Sequence, residues 1–214
     1  MKHLKLLALA SMAAFALVAF GGAGAASATT LCTIQATPCP PSSKVTPTSD
    51  SVIAADLVVG TSTVFSTFPP GAFETCTGST MKIVAAKPGS ATETTVGSLA
   101  AKDLTFTGCV EGPVASLGAG ELEIHWIAGG VDGTLTAKGL EITVMYEKVR
   151  HCVYALSAMT DIGKLTGSKS STSHAMLEIE ATLARKSGFL CPSQIVWQAE
   201  YTVTEPKPLY VVSS

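Results

Sequence analysis

The chain has 214 residues, of which 47% are hydrophobic, 14% are charged and six are cysteine. The charged fraction is well below the ~25% of an average globular protein, which argues against a coiled coil or a charged-tail protein. The 14 lysines and arginines are scattered along the chain. This excludes a nucleic-acid binder, because such proteins concentrate basic residues. The hydrophobic content is also too high for a disordered chain.

Residues 1–28 have the pattern of a secretory signal peptide. Lys2 and Lys5 form a positive n-region, residues 6–20 an apolar h-region, and Ala26-Ser27-Ala28 a cleavage site. Cleavage after Ala28 leaves 12 basic and 16 acidic side chains, a formal charge of −4. The alternative is an uncleaved anchor, because residues 6–28 carry no charge and are long enough to cross a bilayer. We expect a secreted protein, extracellular or in the periplasm or cell envelope, with no membrane span after cleavage.

All the cysteines follow this leader, and they are Cys32, Cys39, Cys76, Cys109, Cys152 and Cys191. An even number in an oxidising compartment predicts three disulfides. We favour the pairing in chain order, first with second, third with fourth and fifth with sixth, because each bridge then closes a contiguous segment. A zinc site would need paired C-x2-C spacing, which is absent. His151 adjoins Cys152, but neighbours on a strand point to opposite faces, which argues against a catalytic thiol.

Two regions follow the leader. Residues 29–50 form an arm rich in Thr, Pro, Ser and Cys, in which four prolines predict an absence of regular structure. Residues 51–214 form a single β-domain of short Thr- and Val-rich runs separated by Gly and Pro, with a turn at Lys87-Pro88-Gly89. The predicted strands cover residues 52–59, 63–67, 80–85, 98–106, 121–127, 134–137, 140–149, 152–158, 173–185, 194–203 and 209–212.

Two runs show the clearest period of two. In the first run, polar residues alternate with Leu177, Ile179, Ala181 and Leu183. In the second, they alternate with Leu122, Ile124 and Trp126. Such alternation is typical of half-buried strands, and no segment of comparable length carries a 3.6-residue apolar stripe. We therefore predict an all-β fold, an antiparallel β-sandwich or barrel of roughly eleven short strands held together by disulfides.

The first candidate site is the polar face of one strand, formed by Glu121, Glu123 and His125. Alternate residues on a strand lie about 6.5–7 Å apart, a spacing at which two carboxylates could divide acid and base work on a sugar bond. The set loosely resembles the E-x-D-x-E strand of jelly-roll glycoside hydrolases, with Glu123 for the Asp and His125 for the last Glu. The other interpretation is an ordinary solvated sheet face.

A second polar face carries His174, Glu178 and Glu180. If its strand lay beside the first one, His125 and His174 would converge with the glutamates on a cation site. Chance polar alternation is the competing explanation.

Other catalytic and cofactor motifs are missing from the sequence. There is no G-x-S-x-G, P-loop, dinucleotide fingerprint or H-E-x-x-H. We expect no cofactor.

Several short motifs extend over most of the chain after the leader. They comprise a C-x6-C at Cys32 and Cys39, Cys76 with Ser79 and Thr80, Leu104 with Phe106 and Cys109, Cys152 with Tyr154, and Tyr201 with Pro208, Leu209 and Tyr210. In these motifs the chain resembles a group of uncharacterised secreted, cysteine-containing β-proteins of soil actinobacteria. That group has no established activity, so the resemblance implies a bacterial secreted context and no catalytic residue.

Three functions remain open on the sequence. The first is a non-enzymatic binding or structural module, extracellular or associated with the cell envelope, whose ligand is unknown. The second is a secreted glycosidase-like hydrolase that uses Glu121, Glu123 and His125. The third is a β-barrel carrier of a small apolar ligand. An enzyme requires a cleft with convergent carboxylates, which distinguishes it from a module.

Overall fold

The computed structural model describes residues 28–46, 52–67, 71–90 and 93–214. The predicted signal peptide lies outside these residues, except for Ala28. The described residues form fifteen strands and no α-helix, which confirms the all-β prediction. The strands are β1 Thr29–Cys32, β2 Val52–Leu57, β3 Thr63–Thr67, β4 Gly71–Ser90, β5 Glu93–Leu99, β6 Leu104–Cys109, β7 Ala115–Ser116, β8 Gly120–Trp126, β9 Gly133–Lys138, β10 Glu141–Tyr146, β11 Arg150–Ala155, β12 Thr160–Thr166, β13 Met176–Ser187, β14 Gln194–Glu205 and β15 Tyr210–Ser213.

Eight of these strands close into an antiparallel barrel. Their order around the barrel is β2, β4, β5, β8, β9, β12, β13 and β14, and β14 pairs again with β2. Closure pairs both edges of every strand in the ring, which removes the exposed edges that promote aggregation. The barrel is therefore one of the two architectures that the strand pattern predicts.

The predicted alternation determines which side chains fill the barrel. On β13 the apolar residues point inward and face β14 in the pairs Ile179 with Ala199 and Ala181 with Trp197. Glu178, between two inward-facing residues, is exposed on the outer wall. Because side chains alternate with a period of exactly two, this register places one complete apolar face inside.

Strand β4 is much longer than the predicted segment 80–85. It continues through Lys87-Pro88-Gly89, where a turn was predicted, so that prediction is wrong. One edge of β4 pairs first with β3 and then with β2, while the other edge pairs first with β6 and then with β5. Four partners along one strand explain why it extends past residues that usually form turns.

The N-terminal arm is partly regular. Thr29–Cys32 forms β1, which pairs with β15, so the predicted absence of regular structure is wrong for these four residues. The prolines begin only at Pro38, and the preceding residues are free to adopt an extended conformation. Thr29 is fully buried, and its carbonyl accepts a hydrogen bond from the Thr95 hydroxyl at 3.0 Å. The arm therefore packs against the barrel.

Three disulfides confirm the predicted pairing. The bonds are Cys32–Cys39, Cys76–Cys109 and Cys152–Cys191, and no cysteine is free. The second bond joins β4 to β6, and the third joins β11 to the loop between β13 and β14.

Strands β10 and β11 extend the sheet beyond the barrel, from the far end of β13. They are joined by a tight turn in which Glu147 and Lys148 have φ angles of 51° and 59°. Short hairpin loops, here of the three residues 147–149, commonly contain residues with positive φ.

A tyrosine lies in the barrel interior with its hydroxyl in a polar chain. The Tyr201 hydroxyl is 2.8 Å from the Ser79 hydroxyl, which donates its own proton to the Thr105 carbonyl at 2.8 Å. The Tyr201 hydroxyl is therefore the donor to Ser79, and burial raises the pKa of Tyr201 from 10.0 to about 12.

We expect this tyrosine to destabilise the fold in strong base. Between about pH 10 and 12 the unfolded chain loses the Tyr201 proton while the folded chain keeps it, so stability falls by about 1.4 kcal/mol per pH unit. Below pH 10 both states hold the proton and the effect is absent. Urea unfolding of wild type and Tyr201→Phe at a series of pH values should show wild type falling more steeply in that window. Parallel profiles would contradict the pKa assignment.

Candidate functional site

An open groove of about 540 Å³ lies on the outer wall of the barrel. Its floor is formed by β12, β13 and β14, and one side is formed by Thr61 and Ser62, from the loop that joins β2 to β3. The loop follows the edge of β14 with which β2 and β3 pair, and there the Val58 amide donates to the Glu200 carbonyl at 2.9 Å. The remaining polar residues that line the groove are Lys164, Glu178, Glu180, Gln198 and Glu200.

Strand register brings these polar side chains together. Glu178 lies directly between Lys164 of β12 and Glu200 of β14, and Glu180 lies opposite Gln198. Directly opposed side chains on antiparallel strands have Cβ atoms about 4.5–5.5 Å apart. The groove therefore carries hydrogen-bond donors and acceptors at fixed positions on rigid strands.

The three glutamates give the groove an excess of negative charge. Lys164 lies beside Glu178 in the sheet, but its Nζ pairs with Asp132 Oδ2 at 3.0 Å. Within the described part of the chain, no residue forms an ion pair with Glu178, Glu180 or Glu200. Like charges directly opposed across strands, such as Glu178 and Glu200, are destabilising.

A glycine makes the floor of the groove possible. Gly163 has a φ of 152°, and a Cβ at this position would lie 1.8 Å from the Glu178 carbonyl oxygen. The pairing of β12 with β9 also shifts register between Asp161 and Gly163. Any larger residue would push β12 away from β13 at the groove.

Of the second predicted set, the structure brings Glu178 and Glu180 into the groove and leaves His174 outside its lining. His174 Nδ1 is 2.8 Å from the Val203 carbonyl and Nε2 is 3.0 Å from Lys207 Nζ. Because Lys207 can only donate, Nε2 accepts this bond and Nδ1–H donates to the carbonyl. Both nitrogens are therefore engaged in contacts at the end of β14.

Glu121, Glu123 and His125 share the outward face of β8, as the alternation predicts. Glu121 Oε1 pairs with Lys138 Nζ at 2.9 Å, and Glu123 Oε2 lies 3.4 Å from His125 Nε2. These three residues do not line the groove described above.

The two predicted sets do not meet. Strands β8 and β13 are separated by β9 and β12 in the barrel. Neighbouring strands are about 4.7–4.9 Å apart, so the two polar faces are separated by roughly 14 Å around a curved wall. The condition for a joint cation site, that the two strands be neighbours, is not met.

The inside of the barrel is relevant to the carrier hypothesis. A cavity between Met81, Leu122, Ile162 and Trp197 measures only about 10 Å³. That is room for a single water molecule, so large side chains and not a ligand fill this part of the barrel.

A further group of potential metal ligands is Glu74 with Cys76 and Cys109, whose ligand atoms lie within 4.8 Å of one another. Both sulfurs are consumed by the disulfide, so neither offers a thiolate. Glu74 is buried, and its Oε1 accepts backbone hydrogen bonds from Thr75 and Val110 at 2.8 Å and from Glu111 at 3.2 Å. Through these hydrogen bonds Glu74 holds the backbone of the residues that follow β6.

The groove contains residues that the sequence interpretation missed. Gln198 and Glu200 alternate with the apolar residues of β14 as clearly as Glu178 and Glu180 do on β13. Treating β13 and β14 as a hairpin would have placed the four polar residues on one face. The contribution of Thr61 and Ser62 had no such signal, because it depends on the path of an irregular loop beside β14.

Comparisons with known proteins gave no match to a family model, a curated protein or a solved structure. Within the described ranges, no helix has the length and apolar character needed to cross a membrane.

Proposed function

We propose that the protein is a secreted, non-enzymatic binding module, extracellular or associated with the cell envelope. The leader-like N-terminus and the three disulfides support export, because such bonds persist in oxidising compartments. The resemblance to secreted actinobacterial β-proteins supports a bacterial source. The closed, crosslinked barrel provides a rigid support on which a binding surface keeps its shape.

The groove is the binding site in this proposal, and its ligand is polar and positively charged. The observation that carries this is the set of Glu178, Glu180 and Glu200 around an open groove, without a neutralising partner among the described residues. A ligand with amino groups would offset the repulsion between the opposed glutamates. Gln198 and the hydroxyls of Thr61 and Ser62 would supply neutral hydrogen bonds beside the charges.

The test is calorimetric titration with spermidine and with a short lysine-rich peptide. We expect wild type to bind at low salt and more weakly as salt increases, since the contacts are exposed and screened. Glu178→Gln/Glu200→Gln should reduce affinity by at least about tenfold, because it removes both opposed charges. It should also leave thermal stability equal to or above that of wild type.

Glu121→Gln/Glu123→Gln is the matched control. It also removes two negative charges from the outer wall of the barrel, but at positions outside the groove. Its affinity should equal that of wild type. Equal weakening in both double variants would point to overall charge instead of the groove, and absence of binding by wild type would overturn the proposed ligand class. Hydrolysis of a polysaccharide panel that Glu121→Gln abolishes would support the hydrolase hypothesis instead.

A further inference from the structure

The groove has one basic residue among the described residues that line it, and its ammonium is held away from the glutamates. This residue is Lys164, which lies on β12 directly opposite Glu178 of β13, at the usual Cβ separation of about 4.5–5.5 Å. The four-carbon stem of a lysine at this position is long enough to bring its ammonium to the Glu178 carboxylate. The ammonium pairs instead with Asp132, whose Oδ2 lies 3.0 Å from Lys164 Nζ.

Lys164 therefore has an acid on each side. Glu178 lies toward β13, and Asp132 lies on the other side, in the loop that leads into β9. Lys164 pairs with Thr134 of β9, which follows Asp132 by two residues. Asp132 itself is not part of the groove lining. Which of the two acids holds the ammonium decides how much negative charge the groove presents to a ligand.

Backbone hydrogen bonds hold Asp132 in place. Its Oδ1 accepts a bond from the Gly167 amide at 3.0 Å, and its carbonyl accepts one from the Ile127 amide at 2.9 Å. The carbonyl of the preceding residue, Val131, accepts a bond from the Val211 amide at 3.0 Å. These donors come from three different segments of the chain. The Asp132 carboxylate is therefore kept in position without help from Lys164.

The Glu178 carboxylate has no comparable support. Glu178 is exposed on the outer wall, and within the described part of the chain its side chain forms no hydrogen bond or ion pair. Pairing of Lys164 with Glu178 would first have to immobilise a flexible side chain, which costs conformational entropy. Pairing with Asp132 has a lower cost, because that carboxylate is already ordered.

We propose that Asp132 is a positioning residue that keeps the Lys164 ammonium away from Glu178 and thereby sets the affinity of the groove for cations. A ligand ammonium then takes the place beside Glu178 and Glu200 that Lys164 is able to reach. Without the charge of Asp132, the lysine turns to Glu178 and the protein neutralises its own binding site. This inference rests on the proposed function of the groove and deepens it, because a residue outside the lining controls the charge of the site.

Calorimetric titration of Asp132→Asn with spermidine tests the proposal. Asparagine keeps the Oδ1 acceptor for the Gly167 amide but lacks the charge, so the loop stays in place and Lys164 is released. We expect the affinity to fall at least about fivefold at low salt. Two unit charges about 4 Å apart in water interact with an energy that corresponds to such a change.

A second substitution should reverse this loss. Asp132→Asn/Lys164→Gln removes the released ammonium and has the net charge of wild type, so its affinity for spermidine should equal that of wild type. A role of Asp132 limited to holding the loop would not give this rescue, because Lys164→Gln restores no contact to Gly167. Failure of the double variant to regain affinity would overturn the proposal, as would an unchanged affinity in Asp132→Asn alone.

Glu121→Gln is the matched control. Glu121 pairs with Lys138 at 2.9 Å on the outer wall outside the groove, so this substitution also removes one acid and releases one lysine. Its affinity for spermidine should equal that of wild type. Equal losses in Glu121→Gln and Asp132→Asn would show that overall charge, and not the position of Lys164, is responsible, and would also overturn the proposal.

Thermal unfolding locates the Lys164 ammonium independently of any ligand. In wild type, Glu178→Gln should leave the melting temperature equal or raise it, because Glu178 opposes Glu200. In the Asp132→Asn background the same substitution should lower it by about 1–3 °C, because it removes the new pair with Lys164. If wild type does not bind spermidine, the proposed function of the groove fails, while this reversal still supports control of Lys164 by Asp132. The same change in both backgrounds overturns that control.

Discussion

Trp197→Ala is expected to lower the free energy of unfolding by about 3–5 kcal/mol, the usual cost of truncating a buried tryptophan. Trp197 is fully buried on β14, and its ring lies 6.5 Å from that of Phe65 and 6.1 Å from that of Phe106. Alanine would leave a large cavity among residues of three different strands. Rigid strands on a closed ring cannot collapse to fill it. Urea denaturation followed by circular dichroism measures the loss.

Trp197→Phe separates packing from hydrogen bonding. The indole N–H of Trp197 has no hydrogen-bond partner among the described residues, so the wild-type residue already buries an unsatisfied donor. Phenylalanine keeps most of the ring contacts and removes that donor, and its cost should be below about 1.5 kcal/mol. A loss under 1.5 kcal/mol in Trp197→Ala as well would contradict the central position of this side chain in the core.

The strands that were predicted best are those in which the local sequence pattern itself specifies which face is buried. Residues 63–67 coincide with β3, and β13 and β14 differ from the predicted segments by no more than a few residues. In β13 and β14 one face is apolar along nearly the whole strand, so burial requires a single register. Strand β12 was missed, because Gly163 interrupts its short alternation and its stability comes from β9 and β13 on either side.

Long-range pairing explains the other errors. The predicted strand 98–106 is divided at residues 101–103 into the end of β5 and the beginning of β6, which pair with different segments of β4. Strand β1 is stable because the opposite end of the chain forms β15. Neither partner is specified by residues nearby, so local alternation and proline content could not reveal these pairings.

For the candidate sites too, local alternation predicted some features and long-range strand pairing determined the others. Alternation correctly placed Glu121, Glu123 and His125 on one face and Glu178 with Glu180 on another. The relation between the two faces depends on the order of strands in the barrel, which periodicity does not encode. The groove itself arises where the loop between β2 and β3, at the edge of β14, contributes Thr61 and Ser62 to its lining, a tertiary feature without a local pattern.

Removal of a disulfide is the second change for which we expect a large loss of stability. The loops closed by the bonds differ enough in length to test whether loop closure is the cause. Cys152→Ala/Cys191→Ala opens a loop with a sequence separation of 39, and Cys32→Ala/Cys39→Ala one with a separation of 7. Chain entropy alone predicts losses of about 4 kcal/mol and about 2.5 kcal/mol, respectively. Both are large fractions of the ~5–15 kcal/mol of a typical domain. Urea unfolding of both double variants, with the Cys76–Cys109 bond intact, measures them.

The two bonds form a matched pair because their burial is the same. Cys32 and Cys152 are both 0% exposed, and Cys39 and Cys191 are both 4% exposed, so the packing lost with the sulfur atoms is similar. The difference between the variants therefore reports on the unfolded chain. Cys152→Ala/Cys191→Ala, which opens the longer loop, should also have the larger m-value, because its unfolded state expands further. Equal losses with equal m-values would show that native-state packing, and not loop closure, accounts for the stabilisation by these bonds.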